Sequence, residues 1–469
     1  MRRLRGPGKT YRRGDPGFDA AILETSFSGR DPGVRPDVLR QPNTVAEAVA
    51  AVEEACREGQ NISVCSGGHS WSQNHLRDGG MLIDMARING IEVDKERRIA
   101  RVGPGCWCIH LDRRLAKDGL FFPVGHAPDI GMGGFLLQGG FGWNSRRLGL
   151  GCENVLGVDV VLADGREIHA SATENADLFW AARGAGPGFF ALVTRYHLRV
   201  HPRPKAMGMK MQIFRERHLE DLFRWADEIG GDVADTVEFQ MVITPRVLGL
   251  GVPGVEVLAP VLAPSWAEAR KAVSFLNGPM RRKASITTPL IPISTTWMST
   301  IVSKTHFPPK MRWCVDNMWT DAPMEDLLPG LRRISETMPA APSHALWLNW
   351  RPKGGRPDMA FSREASQYLA VYGEWRRAED DARYANWATE RMREMEPLSR
   401  GVQLADENLA RRPAWFVEPA ALERLDAIRA KYDPQGRFRS WAGRPDALKE
   451  RPAPAPSAAR EATGPAPVA

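Results

Sequence analysis

Two adjacent glycines stand directly before a histidine in the segment Ser66-Gly67-Gly68-His69-Ser70, which follows the short apolar run Ile62 to Cys65. Because glycine has no Cβ, backbone amides in such a loop can approach a pyrophosphate closely. The histidine then offers a nucleophilic ring nitrogen beside whatever the loop holds. This pattern predicts a phosphate-binding loop whose imidazole could attach a flavin covalently.

A second glycine-rich segment follows, running Gly131-Met132-Gly133-Gly134 and then Gly139-Gly140-Phe141-Gly142. Paired glycines in two segments favour close backbone approach to a flat or phosphorylated ligand, although two ordinary turns would give the same pattern. A nicotinamide-type Rossmann site is disfavoured, because that fingerprint joins a strand directly to a long helix, with an acidic residue about 20 residues on. Neither segment keeps that spacing.

Local patterns mark the elements that must position these loops. Thr44-Val45-Ala46-Glu47 forms a capping box at the start of an amphipathic helix that Gly59 can end. Short strands are predicted at Ile62 to Cys65, Met81 to Asp84 and Ile99 to Val102. Helices and short strands together predict an α+β fold.

Composition divides the chain into segments. Residues 1–35 are rich in Gly, Pro and Arg and are expected to loop over the surface as an N-terminal extension. One α+β domain is expected over residues 36–205 and a second over residues 206–418, followed by a C-terminal segment at 419–447 that begins with a helix. The Pro- and Ala-rich tail, residues 448–469, is expected to be disordered.

The second half of the chain is dense in tryptophan. These residues either fill the core of the second domain or line an aromatic pocket for a planar organic substrate, and the sequence leaves both interpretations open. They are Trp297, Trp313, Trp319, Trp347, Trp350, Trp375 and Trp387.

Composition also excludes several classes of function. Of 469 residues, 43% are hydrophobic and 25% charged, as in ordinary globular proteins. The net charge of +7 has no basic stripe interleaved with aromatics, so no nucleic-acid partner is expected. Cys106-Trp107-Cys108 lacks the second pair that a zinc site needs, so no metal is expected. Without an apolar membrane span or signal-peptide core, we expect a cytoplasmic location and no membrane partner.

Several motifs occur together in an order that resembles a known family. They are Ser66 to Ser70, Leu82-Ile83-Asp84-Met85-Ala86-Arg87-Ile88, Val102-Gly103-Pro104-Gly105, Gly125 to Gly134, Asp177 to Gly184, and Lys431-Tyr432-Asp433-Pro434. This order resembles the FAD-linked oxidases of the vanillyl-alcohol-oxidase type, in the berberine-bridge-enzyme-like branch. The resemblance implies a two-subdomain PCMH-type FAD-binding domain, an α+β substrate domain with an antiparallel sheet, and a C-terminal segment that returns to the FAD domain.

The resemblance also implies how the cofactor is held. His69 matches the histidine that bonds the 8α-methyl of FAD, and Val158 matches a backbone contact toward adenine. Ala127 occupies the position of a second, cysteinyl link, so a doubly linked flavin is not expected. The remaining implied cofactor contacts are Ser66, Gly67, Gly68 and Ser70 in the first loop, and Ile130, Gly131, Gly133, Gly134 and Gly140 in the second.

Ile130 bears on the electron acceptor. In the family, a small side chain at this position admits dioxygen to the flavin and a larger one obstructs it. Isoleucine is intermediate in size, so the resemblance leaves oxidase and dehydrogenase open and favours the oxidase, with dioxygen as acceptor.

A base must also remove a proton from the substrate. The family often places a tyrosine in a late strand of the substrate domain. Gln403 occupies the comparable position here, and glutamine cannot act as a base. The nearby acids Asp406 and Glu407 are candidates, with Glu374 as a third, although a surface position is favoured over a catalytic one for each. His126, beside the second glycine segment, either contacts flavin or substrate or is structural.

These observations predict an FAD-dependent oxidoreductase that takes a hydride from a small organic alcohol, amine or related substrate. One alternative is a dehydrogenase with non-covalent FAD. Another is a flavin-binding protein without independent turnover. The sequence indicates no particular oligomeric state.

Overall fold

A computed structural model describes residues 8–352 and 355–444, which form four sheets and the helices that cover them. The helices are α1 Phe18–Glu24, α2 Val45–Arg57, α3 Cys108–Ala116, α4 Met132–Leu137, α5 Ser145–Leu148, α6 Ala176–Ala181, α7 Leu219–Ile229, α8 Trp266–Ala272, α9 Thr295–Thr305, α10 Met324–Thr337, α11 Asp381–Tyr384, α12 Trp387–Glu394 and α13 Pro419–Tyr432. Within these described ranges, no helix is long and apolar enough to cross a membrane.

The first sheet carries the first glycine loop. Its strands are β1 Lys9–Arg12, β2 Val38–Gln41, β3 Ile62–Cys65 and β4 Met81–Asp84, in the order β1-β2-β4-β3. Strands β2, β4 and β3 run parallel, as β-α-β connections such as α2 require. The capping box is confirmed, because the Thr44 side chain accepts a hydrogen bond from Glu47 N. Ile62 also pairs with a late segment, through Ile62 N to Arg437 O at 2.7 Å and Arg439 N to Ile62 O at 2.8 Å.

The second sheet is antiparallel, with the order β5-β6-β10-β8-β9. Its strands are β5 Ile91–Asp94, β6 Ile99–Val102, β8 Val155–Val161, β9 Glu167–Ser171 and β10 Leu192–Arg199, and the short pair β7 Leu120–Phe121 and β11 His201–Pro202 lies apart from it. Residues alternate along β10 between a buried inner face and an outer face that reaches solvent. The inner face joins a core that also takes Leu422, Leu425 and Ile428 of α13.

The third sheet is the largest, with the order β15-β12-β14-β13-β18-β19-β17 and β16 paired to β12. Its strands are β12 Ala206–Arg215, β13 Gln240–Thr244, β14 Gly254–Ala263, β15 Ile286–Thr287, β16 Ile291–Pro292, β17 Arg312–Thr320, β18 His344–Asn349 and β19 Gln367–Trp375. The strand pairs are antiparallel. The predicted α+β fold, with an antiparallel sheet in the later part of the chain, is therefore confirmed.

The prediction that residues 1–35 loop over the surface was wrong for the part that the structure describes. Strand β1 pairs with β2, and α1 buries Phe18, Ala21 and Ile22 in a small core that it shares with the first sheet. The apolar spacing of α1 was hidden by the glycines, prolines and arginines around it. Residues 448–469 lie outside the described residues, and the domain boundaries stay predictions.

The tryptophan question has a clear answer. Trp313, Trp319, Trp347, Trp350, Trp375 and Trp387 are all buried in hydrophobic cores, whereas Trp297 is 65% exposed. None of these seven described side chains lines the central cavity. Core packing is confirmed for six of them, and the aromatic-pocket interpretation was wrong for this set.

Candidate active site

A cavity of about 290 Å³ reaches from the first glycine loop to the large sheet. Both glycine-rich segments line it, and so do Gln403, Ala405 and Asp406. The predicted contacts that line it are Ser66, Gly67, Gly68, His69, Ser70, Ala127, Ile130, Gly131, Gly133, Gly134 and Gly140. Val158 does not line it, because this residue is buried on the inner face of β8, and its contact to adenine stays a prediction.

The two glycine loops pack backbone against backbone. A Cβ at Gly67 would lie 2.5 Å from Gly131 N, and Gly68 has a φ of +68° with a Cβ position 1.9 Å from Thr25 O. No side chain fits at either position without moving the main chain. At Gly134, by contrast, nothing lies within 4 Å of a Cβ position. The loops are therefore held close together while open space remains beside the second one.

The end of the cavity near the first loop is positively charged. Arg77 and Arg439 line it with Ser440. Among the described residues, Arg439 Nε and Ser440 Oγ are buried without a hydrogen-bond partner, which is costly unless a ligand supplies one. Sequence reasoning missed both arginines; the signal was the nearby Lys431-Tyr432-Asp433-Pro434 motif, which brings this segment beside β3. The donors and backbone amides together fit an anionic group such as a pyrophosphate.

The imidazole of His69 is fixed between two neighbours. Its Nε2 lies 2.9 Å from Asp129 Oδ1, and its ring stacks on Phe27 with centroids 4.2 Å apart. Burial, the largest single influence, would raise the pKa of Asp129, but the hydrogen bond from His69, the charge of that ring and a backbone hydrogen bond together hold the pKa below its ordinary value. An Nε2–H that donates to Asp129 leaves the lone pair on Nδ1. Asp129 and Phe27 were not predicted from the sequence.

Asp406 is the one predicted acid that faces the cavity. Its carboxylate accepts hydrogen bonds from Trp71 Nε1 at 2.6 Å, from Tyr372 Oη at 2.9 Å and from Tyr368 Oη. Burial raises the pKa of Asp406, while these three donors oppose the rise. Burial, followed by the charge of Asp406, raises the pKa of both phenols well above its ordinary value. The group is thus a carboxylate with two protonated phenols in front of it.

The other two acids do not line the cavity. Glu407 accepts from Ser72 Oγ and Asn74 Nδ2, both at 2.6 Å, and so ties the end of the first loop to residues 403–408. Glu374 is 2% exposed and lies 3.3 Å from His344 Nδ1. The surface alternative was wrong for both, because each is buried, and it was wrong for Asp406, whose carboxylate is enclosed.

Gln403 and His126 also line the cavity. The Gln403 side chain turns back to accept from Ala405 N and caps its own short helical turn. His126 Nε2 lies 2.8 Å from Glu238 Oε2, so this histidine has a protein partner. Gln403 provides no phenol, but β19 provides two, because Tyr368 and Tyr372 lie on the same face of that strand and line the cavity. A fully buried strand with two tyrosines four residues apart was the signal for them.

Comparisons with known proteins agree with this architecture. The family described as FAD binding domain matches residues 36–171. FAD-linked oxidoreductase nodO of Hypoxylon pulicicidum is 32% identical over 430 residues, covering 88% of this chain and 92% of the relative.

Two solved structures share the fold. 6-Hydroxy-D-nicotine oxidase of Arthrobacter nicotinovorans has a TM-score of 0.81 at 24% identity, over 94% of this chain and 98% of that one. Glucooligosaccharide oxidase of Acremonium strictum, described with a 6-S-cysteinyl, 8α-N1-histidyl FAD, has a TM-score of 0.79 at 20% identity, over 93% and 96%.

Proposed function

This chain belongs to the FAD-linked oxidoreductases, and we propose that it is an oxidase of a small organic alcohol or amine whose flavin is bonded to His69. The single observation that carries the proposed chemistry is the Asp406 carboxylate with its two phenols, which line the cavity beside Trp71 of the segment that follows the first loop. When bound, the flavin supplies a two-electron acceptor for the substrate's hydride.

The flavin's phosphates would be held at the positively charged end of the cavity. Backbone amides of Ser66 to Ser70 can donate there, and Arg77 and Arg439 supply charge. Buried polar atoms of Arg439 and Ser440 that have no partner among the described residues support this placement.

His69 is prepared to act as a nucleophile. Asp129 accepts the Nε2 proton, so Nδ1 keeps its lone pair, and positive charge that develops on the ring lies beside a carboxylate. Stacking on Phe27 fixes the ring plane. The histidyl link of the glucooligosaccharide oxidase supports the same bond here. Ala127 supplies no sulfur for a second link, so we propose a singly attached flavin.

The substrate's proton would pass to Asp406. As the substrate's O–H or N–H gives its proton to a phenol oxygen, that phenol gives its own proton to the carboxylate, and no charge is left on the phenol. The raised pKa of both tyrosines suits a relay that stays protonated between turnovers. Gln403 takes no part, because its side chain is bound to its own backbone.

The walls near Asp406 favour a substrate that is flat and largely apolar. Phe307, Leu346 and Val302 line this end, with the imidazoles of His306 and His344 beside them. Burial lowers the pKa of both histidines, that of His306 to about 4, so they are neutral at pH 7. Among the described residues that line the cavity, the lysine and arginine side chains are Arg77 and Arg439 beside the first loop. The walls near Asp406 therefore offer no such side chain to hold an acid, which supports a neutral alcohol or amine.

Anaerobic flavin reduction tests this function. Protein expressed with ample riboflavin should be yellow, should keep its colour through acid precipitation, and should bleach with candidate aromatic alcohols or amines. On return of air, an oxidase forms peroxide, whereas a dehydrogenase needs an added acceptor. Protein that never binds FAD, or that no member of a broad alcohol and amine panel bleaches, would contradict the proposal.

Variants separate the residues. Asp406→Asn should slow flavin reduction by about 10²- to 10⁴-fold, as loss of a proton acceptor does. Tyr368→Phe and Tyr372→Phe identify the phenol that relays. Glu374 is a buried acid on β19, the strand of both tyrosines, and it does not line the cavity. Glu374→Gln is therefore the matched control, and its flavin should be reduced at nearly the wild-type rate.

A further inference from the structure

Three metal-ligating side chains converge on the outer face of the second sheet. His169 Nδ1 lies 2.7 Å from Asp159 Oδ1, and His197 Nε2 lies 3.1 Å from both carboxylate oxygens. All the ligand atoms lie within 4.8 Å of one another. In the part of the chain that the structure describes, this is the one such group of three. None of the three residues lines the flavin cavity.

The strand register builds this cluster. Asp159 on β8 pairs directly with His169 on β9, and His197 on β10 lies diagonally across from it, opposite Gly157. Three neighbouring strands therefore give one ligand each to the same face. Gly157 leaves room for the ring, because a Cβ at this position would lie 2.8 Å from His169 Cε1 and the imidazole would have to shift.

The backbone around the cluster is held by polar contacts of its own. Thr194 Oγ1 donates to Asp159 O at 3.1 Å, at the point where the β8–β10 register shifts. Asn175 Nδ2 donates to His169 O at 2.7 Å. Such supporting bonds fix the strands that carry metal ligands, as in established metal sites.

We propose that Asp159, His169 and His197 form a binding site for a first-row divalent cation, zinc or nickel. Two imidazoles and one carboxylate are the ligands that these ions take, and zinc accepts three protein ligands with water in the fourth position. Ligand atoms around a tetrahedral zinc are about 3.3 Å apart, at metal–ligand distances near 2.1 Å. The nitrogen–oxygen distances here, 2.7 Å for His169 and 3.1 Å for His197, are shorter, so the ligand atoms would move apart by a few tenths of an ångström on binding.

Binding replaces hydrogen bonds that now join the three groups. Each imidazole presents an N–H to the carboxylate, so the proton must move to the other ring nitrogen, or leave, before that lone pair can bind a cation. The side chains of Asp159, His169 and His197 are 34%, 37% and 20% exposed. Water and a cation can therefore reach them from solvent, and the rings have room to adjust.

The site would brace the wall behind the second glycine loop. Tyr196, next to His197 but on the inner face, donates from its hydroxyl to Gly133 O at 2.8 Å. A cation that ties β9, β8 and β10 together would stabilise that wall without touching substrate. We therefore expect the cation to raise thermal stability and to leave the rate of flavin reduction unchanged.

Metal titration of the untagged holoenzyme tests the site. After chelator treatment and dialysis, Zn²⁺ followed by calorimetry should bind saturably with about one ion per chain, and Co²⁺ should give the visible bands of a nitrogen–oxygen site. The double variant His169→Gln/His197→Gln keeps side-chain amides that can donate to Asp159 and should lose this binding. His110→Gln, at an outer position stacked on Trp107, is the matched control and should keep it.

Two outcomes would overturn the proposal. One is the absence of saturable binding up to about 1 mM Zn²⁺. The other is undiminished binding by the double variant, which would place the ion elsewhere. If the variant does not fold, the wild-type protein still decides: Zn²⁺ should protect His169 and His197 from diethyl pyrocarbonate while His110 and His218 stay reactive. Equal modification of all four with and without Zn²⁺ would refute the site.

A charge variant adds a test that a purely structural cluster would not pass. Arg195 is exposed and pairs directly with Asp159 across β10 and β8, on the same face. Removing this positive charge with Arg195→Gln should tighten Zn²⁺ binding by about two- to fivefold at low salt. Weaker binding by this variant would count against a cation at Asp159.

Discussion

The hydrogen bond between His69 and Asp129 gives the sharpest prediction about cofactor attachment. Asp129→Asn keeps the size of the side chain and an oxygen that can accept from Nε2, but it removes the negative charge. The two groups lie 2.9 Å apart, and their side chains are 12% and 31% exposed. We expect the variant to fold and to bind FAD, and to form the covalent bond more slowly.

The size of the effect follows from the charge that appears on the ring. Bonding of Nδ1 to the 8α carbon would make the imidazole cationic, so its hydrogen bond to the Asp129 carboxylate would then join two charged groups. The 8α carbon would lose a proton, and the two electrons left on the flavin would pass to dioxygen. Hydrogen bonds to charged groups contribute about 1.5–3 kcal/mol. Losing that amount in the transition state slows attachment by about 10- to 150-fold.

The assay needs protein made without flavin. Apoprotein from riboflavin-starved cells is mixed with FAD, samples are denatured in acid over time, and protein-bound flavin fluorescence is read on a denaturing gel. Asp164→Asn, at the exposed hairpin turn, is the control carboxylate and should attach flavin at the wild-type rate.

Two results would refute this reasoning. Attachment by Asp129→Asn at the wild-type rate would show that the carboxylate does not assist the bond. Acid-stable flavin on His69→Ala would show that another residue carries it.

Three further predictions concern the same region. Burial lowers the pKa of His75 from 6.5 to about 4. Because the pKa is lower in the folded protein than in the unfolded chain, the contribution of neutral His75 to stability is complete above the unfolded-state pKa and is lost as the pH falls. The free energy of unfolding should therefore drop by about 2 kcal/mol between about pH 7.5 and pH 5. His75→Gln should flatten that stretch of the urea-unfolding free energy against pH, and an unchanged slope would contradict the assignment. Gly67→Ala forces a Cβ to within 2.5 Å of Gly131 N and should lower the free energy of unfolding by about 1–3 kcal/mol. Gly134→Ala places its Cβ in open space and should leave the melting temperature of the apoprotein unchanged. Equal melting temperatures for the two variants would refute the close-packing argument. Ile130→Val removes one methyl beside the second loop and should speed reoxidation of reduced flavin by dioxygen in a stopped-flow assay, with a slower rate counting against a gate at this position.

Local elements of this fold could be predicted from the sequence where one pattern dominated. The strands Ile62–Cys65, Met81–Asp84 and Ile99–Val102 have the bounds that their apolar spacing indicated. Helix α1 was missed because its short apolar face is surrounded by Gly, Pro and Arg, which normally mark loops.

The candidate site divides along the same line. The glycine loops could be predicted from the sequence, because close backbone approach requires glycine and adjacent glycines are uncommon. The partners of those loops do not, since Phe27, Asp129 and Arg439 reach His69 and the cavity from distant parts of the chain. Asp406 was predicted as a candidate acid. The two tyrosines of β19 form a recognisable pair on one strand face, but their contact with Asp406 depends on long-range packing that no local pattern reveals.

The pairing of Ile62 with residues 437 and 439 has a consequence for biosynthesis. Strand β3 and Arg439, which lines the cavity beside the first glycine loop, are separated by almost the whole length of the chain. A ribosome must therefore synthesise nearly all of the polypeptide before the flavin-binding cavity can form. Cofactor capture therefore has to be a late, post-translational event. Nascent chains arrested before that arginine emerges from the exit tunnel should remain colourless however much riboflavin the cell provides.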